Sequence, residues 1–272
     1  MEINKITCSD CIDGLKQLPD NSIDFVLTDP PFNVGIDYQE DYDDNKQDEE
    51  YSEWCYQWIK EIERVLQKGR YAIIFTGDKK LHYIMKAIYR TNLMFHHFLK
   101  WYKPTCQRGL PGTVLFGRTE LAFVLSKGKP DIKRINRKTL YSDTLIHYNT
   151  TNSDKYNAVN HNCRRPEPLY RQIIKGFDGK LVLDCFMGSG TTAVVCKQLG
   201  VNFIGFEINP EYVDIANKRL SQGTLLDITN LEVKSGCDAN YDGIPPNNKL
   251  LGILPNELRK QMMLLVLCQQ KK

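Results

Sequence analysis

The chain has 272 residues, 42% of them hydrophobic and 25% charged, which suits one large α/β domain or two small ones in a soluble globular protein. No apolar run approaches the roughly 20 residues a spanning helix needs, and Met1 to Lys5 lacks the basic-then-apolar layout of a signal peptide. Nine scattered cysteines without framework spacing fit a reducing, cytoplasmic setting and no membrane, and the modest net charge of +3 excludes a uniformly basic polyanion binder.

Ile3 to Cys8 predicts a short strand, with Asp10 just past its end. Ile12, Leu15 and Leu18 follow at helical spacing, and Pro19 to Ser22 turn the chain. Cys8 and Cys11 make a lone C-x-x-C with no second pair, so a buried strand end is the simpler reading than a metal or redox site. Ile23 to Thr28 is an apolar run halted by Asp29-Pro30-Pro31-Phe32. That places a carboxylate, two rigid residues without N–H donors and an aromatic ring at the carboxyl end of a strand, where open α/β sheets bind ligands. The set suits a flat, amine-bearing group such as a nucleobase, although the tetrapeptide alone is more simply a strand followed by a proline turn.

Asp37 to Glu50 is an acidic stretch expected to form a surface loop. Tyr51, Trp54, Trp58, Ile62 and Val65 mark a helix face, with Gly69 as its expected stop. Tyr71 to Phe75 predicts a strand, Leu81 to Ile88 an amphipathic helix, and Phe98 to Tyr102 and Leu121 to Ser126 two further strands around a glycine- and proline-bearing loop, 103–118. Residues 127–160 are polar and basic without periodicity and read as an insertion. Charge is uneven along the chain: 11 basic against 18 acidic side chains in 1–99, 16 against 6 in 100–180, and 9 against 9 in 181–272. The basic middle is equally a polyanion-binding face or a solvated lysine-rich surface.

Pro166 to Ile174 predicts a helix ended by Gly176. Leu181 to Asp184 is a strand and Cys185 to Gly190 a glycine turn. Thr191 to Leu199 is a helix stopped by Gly200, Asn202 to Glu207 a strand, and Asn209-Pro210 the cap and first turn of a helix reaching about Leu220. Strands alternating with helices predict a doubly wound, mostly parallel α/β sheet of Rossmann-like type. The tail from Ser221 carries two apolar runs, Leu250 to Leu254 and Met262 to Cys268, that suit a packed segment or a dimer contact.

Gly188-Ser189-Gly190-Thr191-Thr192-Ala193 satisfies G-x-G-x-x-A, and Glu207 stands 19 residues after Gly188, the pattern of a dinucleotide site. NAD is therefore a competitor. The turn, however, begins with an acid, Asp184, and carries Phe186. An acid there holds an ammonium and repels a pyrophosphate, which points to S-adenosylmethionine, a nucleoside with a cationic side chain.

Together, Asp-Pro-Pro-Phe after one strand and Asp-x-Phe-x-Gly-Ser-Gly-Thr-Thr after another closely resemble the DNA amino-methyltransferases. The acceptor motif comes first, as in the permuted β class of that family, and the likeness covers about 3–33, 54–77, 98–127 and 161–220. The resemblance implies S-adenosylmethionine as cofactor, DNA as partner, and a catalytic domain over 1–220 with a short target-recognition insertion near 103–160. Residues 221–272 are an extension without a family counterpart.

The family's acceptor motif maps onto Asp29, Pro30, Pro31 and Phe32. Its cofactor loop maps onto Asp184, Phe186, Gly188, Ser189, Gly190 and Thr191, with Glu207 on the ribose and Asp10 on the adenine amine. Trp101 to Pro104 and Phe123 to Gly128 match family segments of the acceptor half. A family His-Pro-Thr-Gln-Lys-Pro segment stands here as His161 to Pro166, in which Arg165 keeps the charge at a stretch expected to touch the cofactor. Cys185 replaces a family proline.

The expected reaction is direct methyl transfer to the N6 amine of a flipped adenine, since the family's cytosine-N4 members more often carry Ser where this chain has Asp29. No cysteine sits in a context suited to C5 chemistry. Arg108, Lys133, Arg134 and Arg137 are the expected phosphate contacts. A restriction-modification setting, a homodimer and a bacterial or phage origin follow from the family. A nicotinamide enzyme, which would leave Asp29 to Phe32 idle, and a noncatalytic nucleic-acid-binding relative are the alternatives.

Overall fold

The computed structural model describes residues 2–35, 44–104, 118–140, 142–147 and 165–222. Among them, eight strands build one sheet: β1 (Lys5–Cys8), β2 (Ile23–Thr28), β3 (Leu66–Thr76), β4 (Leu93–Tyr102), β5 (Thr119–Lys127), β6 (Thr144–Ile146), β7 (Leu181–Asp184) and β8 (Asn202–Glu207). Their spatial order is β1-β8-β7-β2-β3-β5-β4-β6. All neighbouring pairs are parallel except the two made by β5, so one reversed strand sits in an otherwise parallel sheet.

The acceptor strand and the cofactor strand, 156 residues apart, are direct neighbours. Phe25 pairs with Val182 and Val26 with Leu183, so Asp29 and Asp184 leave the sheet at the same edge. Permuted chain order therefore leaves the two motifs side by side.

Alternation along the strands feeds both faces, because successive side chains of a strand point to opposite sides. Val26, Ala72, Ile74 and Leu183 face α1 (Cys11–Lys16), α2 (Asp48–Val65) and α3 (Leu81–Ile88). Phe25, Leu27, Ile73 and Val182 face α4 (Glu167–Gly176), α5 (Thr191–Leu199) and α6 (Pro210–Ser221). Helices on both faces explain why the central strands read as continuous apolar runs.

Several local expectations change, beginning with Asp48 to Glu50, which open α2 rather than close the expected acidic loop, whose residues 37–43 lie outside the described residues. Gly69 does not stop the helix. α2 ends at Val65 and the chain enters β3 at once, with Gly69 at φ 78° where the pairing of β2 with β3 shifts register. A left-handed residue inside a strand is a bulge, and glycine carries it without a Cβ penalty. β4 begins at Leu93, five residues before the expected start, because a second irregularity between Phe95 and His97 breaks its alternation. β6 lies inside the stretch read as aperiodic. Three residues against β4 are too few to show a period.

Candidate active site at the carboxyl edge of the sheet

Every predicted cofactor and acceptor residue reaches the same edge because parallel strands end together. Asp10 follows β1, Glu207 ends β8, Asp184 ends β7 and Asp29 follows β2. With strands about 4.8 Å apart, these four carboxylates are strung over roughly 14 Å in the order β1, β8, β7, β2. A cavity of about 130 Å³ runs beneath them, lined by Asp10, Glu207, Asp184, Asp29, Phe186 and Trp54 among others.

The glycine loop is shaped by left-handed backbone. Gly188 and Gly190 have φ 51° and 84°, and a Cβ on Gly190 would lie 2.6 Å from that of Ala216. Glu207 fixes the loop from below, accepting from Gly188 N at 2.6 Å and Asn209 N at 3.0 Å. Arg219 of α6 donates to the Ser189 carbonyl and pairs with Glu167 at 2.9 Å, tying the loop to α4. Thr191 opens α5 and lines the cavity beside Ser189.

Asp184 is 2% exposed and accepts from the Thr28 hydroxyl at 2.8 Å, from Phe186 N at 3.1 Å and from the Thr192 hydroxyl. Burial pushes its carboxyl up to about 7 against those donors. Asp10 caps α1, accepting from Ile12 N at 2.8 Å and Asp13 N at 3.3 Å.

The acceptor tetrapeptide is braced on three sides. The Tyr51 hydroxyl donates to the Pro31 carbonyl at 2.9 Å. Phe32 rests on Gly77, where a Cβ would approach its ring to 3.0 Å. Beyond Phe32, Asn33 (φ 55°) and Asp44 lock together: Asp44 accepts from Asn33 N at 2.7 Å and Val34 N at 3.1 Å. Pro30 is buried at the strand's end.

Asp29 itself is gripped by Arg165. Nε donates to Oδ2 at 2.6 Å and a terminal nitrogen to Oδ1 at 2.8 Å. Burial raises the Asp29 carboxyl above its usual range, and Arg165 opposes that rise. Arg165 also lines the cavity, in the stretch where the family resemblance left cofactor contacts open. The structure puts it on the acceptor carboxylate, a contact between residues 136 apart that the linear pattern does not encode.

The expected phosphate contacts are not brought to this edge. Arg134 pairs with Asp24 at 3.4 Å and Asp178 at 3.5 Å, and Asp24 also accepts from Lys180 N. Asp24 and Lys180 stand at the starts of β2 and β7, so Lys133 and Arg134 lie at the amino edge, as does Arg137, whose neighbour Asn136 binds the end of α4. Arg108 lies outside the described residues, as do 148–164 and the tail from 223. Two exposed cations do flank the site: Lys79, just past β3, and Arg118, just before β5.

The thiols near the cavity are quiet. Burial pushes Cys185 up to about 12 and holds Cys11 well above the ordinary thiol range, so neither is a thiolate at neutral pH. Among the described residues no group of three or more His, Cys, Asp or Glu side chains is placed to hold a metal ion, and no helix is long and apolar enough to cross a membrane.

These residues fit S-adenosylmethionine. Among the described residues four carboxylates line the cavity with one cation, Arg165, which is already paired, a charge balance that disfavours a pyrophosphate and suits an ammonium. Asp10 and Glu207 place carboxylate acceptors on the cavity wall, the group type that an adenine amine and ribose hydroxyls require, and Phe186 and Trp54 supply aromatic wall. The acidic lining suits an ammonium-bearing nucleoside better than a dinucleotide.

Comparison with known proteins agrees with this geometry. The N6/N4 methyltransferase family model, described as DNA methylase, matches residues 23–218. The type II methyltransferase M.HpaI of Haemophilus parainfluenzae is 31% identical over 240 residues, covering 79% of this chain and 74% of that protein. M1.MboII of Moraxella bovis is 28% identical over 258 residues, covering 82% and 98%. Among solved structures, the cytosine-N4-specific PvuII DNA methyltransferase superposes with a TM-score of 0.67 at 20% identity, covering 84% of this chain and 90% of that one. The M1.HpyAVI complex with S-adenosylmethionine gives 0.62 at 23%, covering 80% and 99%.

Proposed function

The chain belongs to the N6/N4 family of DNA methylases, and from that premise we propose that it is a site-specific, type II enzyme methylating the N6 amine of adenine in DNA. The observation that carries the choice of base is Asp29: a carboxylate, rather than a serine, opens the acceptor motif, and it faces the cavity.

The target base is unreachable inside a duplex and has to be flipped into the pocket, at a cost of a few kcal/mol. Phe32 offers the stacking face, and Gly77 behind it keeps the ring in place. Asp29 and the Pro30 carbonyl accept hydrogen bonds from the amine and so turn its lone pair toward the cofactor side of the cavity. Bound S-adenosylmethionine supplies an electrophilic methyl group on a sulfonium. Tyr51 holds the Pro31 carbonyl and fixes the height of this platform. An exocyclic base amine is nearly non-basic, so Asp29 acts as an oriented acceptor and takes up a proton only after the nitrogen has become cationic. Positioning then supplies most of the rate.

Catalysis is assigned to residues 1–220 and target recognition to an insertion near 103–160, while 221–272 are an extension to which no role is assigned. Phosphate contact is assigned first to Lys79 and Arg118 at the carboxyl edge. Lys133, Arg134 and Arg137 would be reached only by DNA that wraps to the opposite edge. The setting is the cytoplasm of a bacterium or phage host, as a homodimer bound to DNA.

The test is transfer of labelled methyl groups to unmethylated genomic DNA, read by nucleoside mass spectrometry. N6-methyladenine supports the reading, N4-methylcytosine replaces the base, and no labelled nucleoside refutes it.

A further inference from the structure

The mechanism above leaves the half-buried cations and second acid around Asp29 unused. Arg165, whose side chain is 11% exposed, directs Nε and one terminal nitrogen at the two oxygens of Asp29. Its other terminal nitrogen donates to Oε2 of Glu120, at the start of β5. Glu120 is held on its far oxygen by Lys103, just past β4. The guanidinium lies over three rings: Phe75 at 5.2 Å, Trp101 at 5.4 Å and Phe32 at 5.8 Å from their centroids.

We propose that Arg165, backed by Glu120, is a positioning residue that keeps Asp29 ionised and turned toward the exocyclic amine. This rests on the methyl-transfer reading above. A side-on guanidinium fork uses one lone pair on each Asp29 oxygen and leaves the other free for a second donor. The fork also fixes the carboxylate plane, which a point charge cannot do. Ring packing on the guanidinium face restricts the fork in turn. Asp29, Glu120, Arg165 and Lys103 together carry no net charge, which suits the approach of a neutral nucleobase.

Asp29 is faced by Arg165, by Glu120 with Lys103 behind it, by Tyr170 of α4 and by Asp184 of β7. Burial and Glu120 push its carboxyl up, and Arg165 holds it down. Loss of Arg165 therefore raises the pH below which Asp29 is protonated, and loss of the Glu120 charge lowers it.

The experiment is the pH profile of kcat for the full chain on DNA, with cofactor affinity measured separately by calorimetry, in wild type, Arg165→Gln, Arg165→Lys and Glu120→Gln. Arg165→Gln is expected to lower kcat at neutral pH by about 100-fold, the size of a small misplacement of a reacting group, and to move the acid limb to higher pH. Arg165→Lys should leave the limb near its wild-type place but lower kcat. Glu120→Gln, nearly isosteric, should move the limb the opposite way, to lower pH. Limbs that stay together in all four proteins, or a loss confined to cofactor affinity, would overturn the proposal while leaving the methyltransferase reading intact. A wild-type protein that transfers no methyl group to DNA would sink both.

Discussion

The two halves of the carboxyl edge surround their acids in opposite ways. In the cofactor half, Asp184, Glu207 and Asp10 are met by hydroxyls and backbone N–H groups: Thr28, Thr192 and Phe186 N for the first, Gly188 N and Asn209 N for the second, Ile12 N and Asp13 N for the third. In the acceptor half, Asp29 and Glu120 are met by full cations, Arg165 and Lys103. Neutral donors orient a carboxylate without cancelling its charge, whereas a guanidinium cancels it. Among the described residues Asp184 and Asp10 face no cation, which suits a cationic cofactor at pH values where they are ionised, and the acceptor half is charge-balanced, which suits a neutral base. A single cavity lined by five charged side chains is divided into two electrostatic environments by the donors behind them.

The strongest test of that division is Asp29→Ala. It should lower methyl transfer by about 100-fold or more while leaving cofactor affinity unchanged, as calorimetry and labelled transfer would show. Equal damage to cofactor binding would mean that the halves are not separate.

Next in size is Asp184→Asn, expected to weaken S-adenosylmethionine binding by about 10- to 100-fold, the loss of a charge-assisted contact worth roughly 1.5–3 kcal/mol. The wild-type affinity should also depend on pH. With its carboxyl pushed up to about 7, Asp184 is protonated below that pH and ionised above it, so affinity for an ammonium-bearing ligand should rise as pH increases through about 7. The Asn variant should lack that rise. A wild-type affinity flat from pH 6 to 8 would show that Asp184 does not meet the ammonium.

Smaller effects are expected from the loop itself. Gly190→Ala forces a Cβ at φ 84° and against Ala216 at 2.6 Å, so it should destabilise the fold by roughly 1–3 kcal/mol in chemical denaturation. The smallest effect concerns DNA. Arg118→Gln should reduce the slope of log affinity against log salt by about 1, whereas Lys133→Gln at the opposite edge should leave it in place. A reversed outcome would return phosphate binding to the amino edge.

Much of this was legible in residue order. The apolar runs at Ile23 to Thr28 and Leu181 to Asp184, the glycines at 188 and 190, and the Asn209-Pro210 cap each encode their own local structure, because strand burial, left-handed turns and helix starts depend on near neighbours. The same locality explains the misses. Gly69 looks like a helix stop because the pattern of α2 gives no sign that β3 follows without a loop. β6 is too short to display a period.

What the sequence by itself determined is the alternation of strands and helices, the glycine loop, and which residues end at strand termini. Parallel strands do the rest of that work, since they carry all their terminal residues to one edge. Only the tertiary structure decided which donor faces which acid. Arg165 meets Asp29 across 136 positions and Thr28 meets Asp184 across 156, and both pairings exist because β2, β7 and the start of α4 converge. Charge pairing is set by distances of a few ångströms in space, which the order of residues along the chain does not record.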